Sequence, residues 1–286
     1  MDAVFVLLAA LVGLLVGGVL NALADDLPHH RAPRLPHYPD GTPRPLRAWL
    51  GLLAFLSGAR ASEGAEASPP HPQQGTSPPT PRQEAKSISA ARLSWRHPLV
   101  ELITALAFAG LAWGYADEPN VWAWFVYLAA LILITVIDVE HRLILFAVVV
   151  PTALFALLVA AVSPQAGHTF RDYALGGVVG FGVFFALYLG GEVYARARKL
   201  NVVAFGFGDV MLAALSGVIL GWQAFIFAAF IAVFAGAVGA LVYVLGSLAV
   251  NRRSHWLKPL PYGPYIVFGT LIMLLARDEV RALLQR

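Results

Sequence analysis

The chain has 286 residues, of which 58% are hydrophobic and 13% charged. Soluble domains carry roughly 25% charged residues, so most of this chain has no water to face. A formal charge of +3 is modest, and the absence of cysteine excludes a disulfide framework and a thiolate zinc site.

Eight apolar segments run along the chain, at about 3–24, 99–116, 121–137, 144–163, 173–193, 210–221, 223–248 and 262–277. Backbone donors and acceptors in lipid must be paired within a segment, so these read as helices and not as isolated strands. The expected fold class is all-α: a polytopic helical membrane protein of about eight transmembrane helices, with a partly disordered cytoplasmic loop. The first segment carries Ala22-Leu23-Ala24, which has the small-x-small pattern of a cleavage site. It lacks a basic start and is longer than a signal-peptide core, so it is read as a retained helix. The sixth segment is short for a full span and is expected to start inside the protein.

Between the first two spans lies a polar stretch, 25–98. Its middle, Ser62 to Ala85, is rich in Pro, Ser, Gln, Glu and Gly and reads as a disordered linker. The short apolar patch Trp49 to Leu56 is expected at the membrane interface, being too short to cross. Three regions follow: 1–24 as the first transmembrane helix, 25–98 as the cytoplasmic loop, and 99–286 as the catalytic transmembrane domain.

With the N-terminus outside, the inside loops hold 16 of the 20 basic residues. The short loops alone give seven against one, favouring this orientation. Asp138 and Asp209 then both fall on the cytoplasmic side.

Ionisable groups at membrane depth are functional candidates; here these are Glu101, Asp138, Glu140, Glu192 and Asp209. Taken singly, each has a plainer role as a headgroup-level or helix-capping carboxylate. Asp209 follows Gly206-Phe207-Gly208 and could cap the helix it opens. Asp138 and Asp209 together point further. Two carboxylates brought close by helix packing share one proton. The ionised one can then activate water while the protonated one donates to a scissile carbonyl. Glycines before Asp209 would let a substrate backbone approach. His29, His30, His37, His71 and His97 show no compact metal spacing, His141 has no serine partner, and no phosphate-binding glycine loop is present.

Several stretches then resemble one family, the bacterial type IV prepilin peptidases. Gly17-Gly18-Val19-Leu20-Asn21 through Leu27-Pro28 is similar to GSFLNVVIxRLP, and Leu93-Ser94-Trp95-Arg96-His97-Pro98-Leu99-Val100-Glu101-Leu102 to ISxRYPLVELL. Ile137-Asp138-Val139-Glu140-His141 resembles IDLEH, and Gly206-Phe207-Gly208-Asp209-Val210-Met211-Leu212 resembles GxGDxKL. Leu260-Pro261-Tyr262-Gly263-Pro264-Tyr265 resembles IPFGPF. The resemblance implies an aspartic endopeptidase of the bacterial inner membrane with Asp138 and Asp209 as its catalytic pair. It implies Gly206, Gly208, Glu140, Glu101, Pro261, Gly263 and Pro264 as active-site loop or substrate-binding positions. The implied substrates are prepilins and pseudopilins, cut at the cytoplasmic face. Proteolysis would need no cofactor; S-adenosylmethionine would serve a second, N-methylating activity.

Departures are specific. The cysteine pairs that bind zinc in many relatives are missing, so no metal is expected. Asp26 stands where Arg is usual, Leu145-Phe146 replaces Pro-Asp, and Met211 replaces Lys. Two other classes compete: a non-catalytic membrane assembly protein, motivated by the altered loop, and an ion-coupled transporter using the same carboxylates, which would predict internal repeats that are absent. No nucleic-acid partner is implied. The lipid bilayer is the obligatory one, and homo-oligomerisation stays open.

Overall fold

The computed structural model describes residues 3–38, 43–44, 49–56, 94–163, 168–198, 206–249 and 261–276. The predicted linker and His71 lie outside the described residues. Every regular element among them is a helix, and the one β feature among the described residues is an isolated bridge between His37 and Pro43. The elements are α1 (Ala3–Asp26), a 3-10 turn (Leu27–His29), α2 (Gly51–Leu56), α3 (Arg96–Tyr115), α4 (Val121–His141), α5 (Phe146–Val162), α6 (Phe170–Ala197), α7 (Phe207–Leu220), α8 (Trp222–Ala249) and α9 (Gly263–Leu275). Five stretches, Ala3–His29, Arg96–Tyr115, Val121–His141, Phe170–Ala197 and Trp222–Gly246, are long and apolar enough to cross a bilayer. Three shorter apolar helices, α5, α7 and α9, accompany them. The chain is a membrane protein, and the eight apolar segments read from the sequence correspond, among the described residues, to these five long and three shorter helices.

The chain divides into two compact units, Met1–Val121 and Trp122–Arg286. In the first, α1 lies antiparallel along α3 in four-residue steps. Gly13 faces Thr104 and Ala105, and Gly17 faces Glu101, whose Cα stands 2.6 Å from where a Gly17 Cβ would be. One turn further, Asn21 Nδ2 donates to the His97 carbonyl at 2.9 Å. A turn beyond that, Asp25 pairs with Arg96 and lies 3.2 Å from His97 Nε2. Small residues let the two backbones approach, and polar side chains fasten their ends. The short α2 is tied to α3 by Glu101. Burial depresses the Arg44 guanidinium below its usual range, and its Nε donates to the His37 carbonyl at 2.9 Å.

In the second unit α7 is the internal helix. Its 14 residues span about 21 Å at 1.5 Å per residue, short of a ~30 Å hydrocarbon core. Ten of them, including every residue from Leu215 to Leu220, are buried. Helices α5, α6, α8 and α9 all contact it. Gly176, Gly177 and Gly180 of α6 bring its backbone against Ala213, Ala214, Gly217 and Val218 of α7. Thr270 of α9 donates to Ser216 Oγ of α7 at 2.8 Å. Gly221, with φ +79°, turns the chain from α7 into α8 where a side chain would be strained. This enclosure explains the short sixth segment: a helix sheathed by protein need not match the bilayer.

Candidate active site

Asp138 sits one turn before the end of α4 and is buried. Arg142 closes that helix in the left-handed conformation, φ 54°, donating its N–H to the Asp138 carbonyl at 2.8 Å. The chain then runs directly into Ile144 and α5. The Asp138 carboxylate is held from elsewhere: Gly263, first residue of α9, donates its N–H to Oδ2 at 3.0 Å. The first four N–H groups of a helix lack an intrahelical acceptor. Asp138 takes one of them. Pro264, next in α9, has no N–H to satisfy, which is why proline suits a helix's first turn. Pro261 precedes this start and is half-buried.

Asp209 is the third residue of α7, since the helix begins at Phe207 and not at 210 as the apolar run suggested. It is therefore not the capping residue ahead of the helix. That position belongs to Gly206, whose N–H donates to Asp209 Oδ2 at 3.1 Å. The capping role read from the sequence is real, but it uses one oxygen. Phe207 locks this start of α7 among aromatic rings, with centroids 6.1 Å from Phe146, 6.5 Å from Phe185 and 6.0 Å from Tyr188. The sequence reading missed these rings; only the clustering of aromatics in the α6 segment hinted at them.

Ile144 joins the two halves. A Cβ on Gly208 would stand 2.8 Å from Ile144 Cβ, and one on Gly263 would stand 3.4 Å from Ile144 Cδ1. The same Gly263 Cβ would be 2.6 Å from Asp138 Oδ2. The buried Ile144 side chain thus lies against the glycine preceding Asp209 and the glycine that binds Asp138. Gly208 was expected to leave room for a substrate backbone; the space its side chain would fill is occupied by Ile144. Among the described residues, hydrogen bonds engage only Oδ2 of each aspartate, leaving each Oδ1 for another partner.

The remaining candidates are spread out. Glu140 is exposed on the other side of α4, with His141 Nε2 3.9 Å from its Oε2. Glu192 pairs with Arg196 at 2.8 Å along the exposed surface of α6. Glu101 belongs to the first unit, where its two oxygens accept from Gly51 N–H at 2.6 Å and Leu52 N–H at 2.8 Å. No group of three or more His, Asp or Glu arranged to hold a metal occurs among the described residues.

Comparison with known proteins follows the same residues. Residues 125–241 match the type IV leader peptidase family. A prepilin leader peptidase/N-methyltransferase of Aeromonas hydrophila is 31% identical over 194 residues, covering 66% of this chain and 61% of that protein. One of Stutzerimonas stutzeri is 24% identical over 97% of this chain and 93% of its own length. A type 4 prepilin-like proteins leader peptide-processing enzyme of Escherichia coli is 35% identical over 63% of this chain and 61% of its own. The chain thus spans about three fifths of the Aeromonas and Escherichia relatives. No solved structure matches it. The matched stretch holds Asp138, Ile144, Gly206, Gly208 and Asp209, and over it the chain is similar to the type IV leader peptidase family.

Proposed function

We propose that the chain is a membrane aspartic endopeptidase that removes the leader of type IV prepilin-like proteins, with Asp138 and Asp209 as its catalytic pair. The observation that supports it is that two buried carboxylates are each anchored through Oδ2 by the backbone N–H of a helix start, with Ile144 packed against both starts. Such anchoring holds the groups in one orientation at no cost during the reaction. The ionised partner takes a proton from water as the water attacks the scissile carbonyl. The other donates its proton to the carbonyl oxygen, then recovers one as the tetrahedral intermediate collapses and the leaving amine is protonated. Gly206, Gly208 and Gly263 act by backbone and by closeness; Pro261 and Pro264 shape the approach to Gly263. Glu140, exposed beyond the pair, is suited to meet a basic leader.

In this reading the protein lies in the bacterial inner membrane with its N-terminus outside, and the pair opens to the cytoplasm. The charge asymmetry of the loops supports that orientation. Methylation of the new N-terminal amine, drawing on S-adenosylmethionine, is a second proposed activity, supported by the names of the relatives. The deciding experiment is cleavage of a prepilin by purified protein. Asp138→Asn and Asp209→Asn should each abolish it while insertion persists; continued cleavage by either variant would refute the pair. Mass spectrometry of the product N-terminus reads methylation in the same sample.

A further inference from the structure

The first unit holds an apolar pocket of about 720 Å³ that the proposed reaction does not use. Leu15, Val19 and Leu23 of α1, spaced one turn apart, form one wall. Leu50 and Leu53 of the α2 segment, with Trp49 at the mouth, form another. The stretch Pro33–Pro36 forms the third, and Arg34 is the charged residue in the lining.

Two buried carboxylates hold these walls in place. Asp26 Oδ2 accepts the Arg34 N–H at 2.9 Å, pinning the third wall to the end of α1. Glu101 accepts the N–H groups of Gly51 and Leu52, pinning the second wall to α3. Gly18 completes the fit, since its missing Cβ would lie 3.4 Å from Leu50 Cδ2. A pocket of this size with walls fixed by buried hydrogen bonds is formed in advance of any ligand, as binding sites usually are.

We propose that this pocket binds one acyl chain of an anionic phospholipid, with the headgroup phosphate on Arg34. Leu15 and Val19 are exposed residues of a helix long enough to span the bilayer, so the pocket continues into the surface that lipid tails wet. Trp49, part exposed at the mouth, is the residue type that settles at headgroup depth. The Arg34 side chain is exposed and makes no ion pair among the described residues, while Asp26 Oδ2 and both Glu101 oxygens are held by backbone donors and Asp26 Oδ1 stands 3.7 Å from His37 Nε2. The rim therefore offers one uncompensated cation above an apolar slot, the complement of a phosphate above an acyl chain.

The test uses the full chain in phosphatidylcholine vesicles holding phosphatidylglycerol with a photoactivatable group in its acyl chain. Crosslinked peptides are then mapped by mass spectrometry. Label should fall on 15–23 and 49–53 and be competed by unlabelled phosphatidylglycerol. Val19→Trp and Leu53→Trp, filling the pocket from opposite walls, should each abolish that labelling and leave prepilin cleavage unchanged. Arg34→Gln should cut the preference for phosphatidylglycerol over phosphatidylcholine by about fivefold, the effect of one cation near an anionic headgroup. Label spread evenly over the lipid-facing helices, or untouched by both tryptophans, overturns the site. Displacement by an apolar peptide but not by unlabelled phosphatidylglycerol assigns the pocket to a polypeptide and also overturns it.

Discussion

Gly263 and Asp138, 125 positions apart in the chain, are joined by a 3.0 Å hydrogen bond from the glycine N–H to carboxylate Oδ2. The contact leaves no room for a side chain at 263. Gly263→Ala would place a methyl 2.6 Å from that oxygen and force the carboxylate or the start of α9 to move. A displacement of about 1 Å at a reacting group can cost roughly 10²-fold in rate. We expect kcat for prepilin cleavage to drop by about that factor with thermal unfolding nearly unchanged. Wild-type turnover would show that the bond does not position Asp138.

The two glycines before Asp209 should differ. A Cβ at Gly208 collides with Ile144, whereas one at Gly206, with φ −84°, meets Asp209 Oδ2 at 3.3 Å and Gly208 N at 3.9 Å, neither a collision. Gly208→Ala should therefore destabilise by about 1–3 kcal/mol, the range for overpacking, and reduce cleavage. Gly206→Ala should be the milder change. Adding Ile144→Ala to Gly208→Ala should restore part of the lost activity, because it removes the colliding atoms. Failure of that double variant to recover anything would rule out Ile144 as the cause.

A pair that works with one proton makes a definite prediction about acidity. At low pH both carboxyls are protonated and no base remains; at high pH both are ionised and no acid remains. The plot of kcat/KM against pH should be bell-shaped, with two apparent values belonging to the pair. A profile that stays flat on its alkaline side would argue against a shared proton.

Glu101 should matter for stability instead of chemistry. Glu101→Ala leaves the N–H groups of Gly51 and Leu52 without their charged acceptor. Bonds to charged groups contribute about 1.5–3 kcal/mol each, so α2 should detach from α3. Faster proteolysis within 49–56, with α1 and α3 still protected, is the expected signature.

The helices were legible because lipid imposes long apolar runs, and Asp138 and Asp209 stood out because carboxylates are costly there. What escaped was set by packing between distant segments. No periodicity links Gly263 to Asp138, and nothing local marks Ile144 as the residue wedged between two glycines. Glu101 drew attention as an acid near the membrane, for the same reason as the aspartates; only its two backbone partners disclose its fastening role. The start of α7 was misjudged by three residues because Phe207 and Gly208 read as a turn, while tertiary aromatic contacts and the Gly206 bond extend the helix over them.

The Gly263 bond also bears on the order in which the protein is made. Asp138 lies on α4 and Asp209 on α7, but the donor that steadies Asp138 arrives with α9, the last helix described. A chain emerging from the ribosome carries both carboxylates well before that donor exists. Chains are synthesised from the N-terminus, so one caught midway holds both acids without the Gly263 donor. Asp138 therefore lacks its 3.0 Å backbone anchor until α9 docks, whatever has already folded around it.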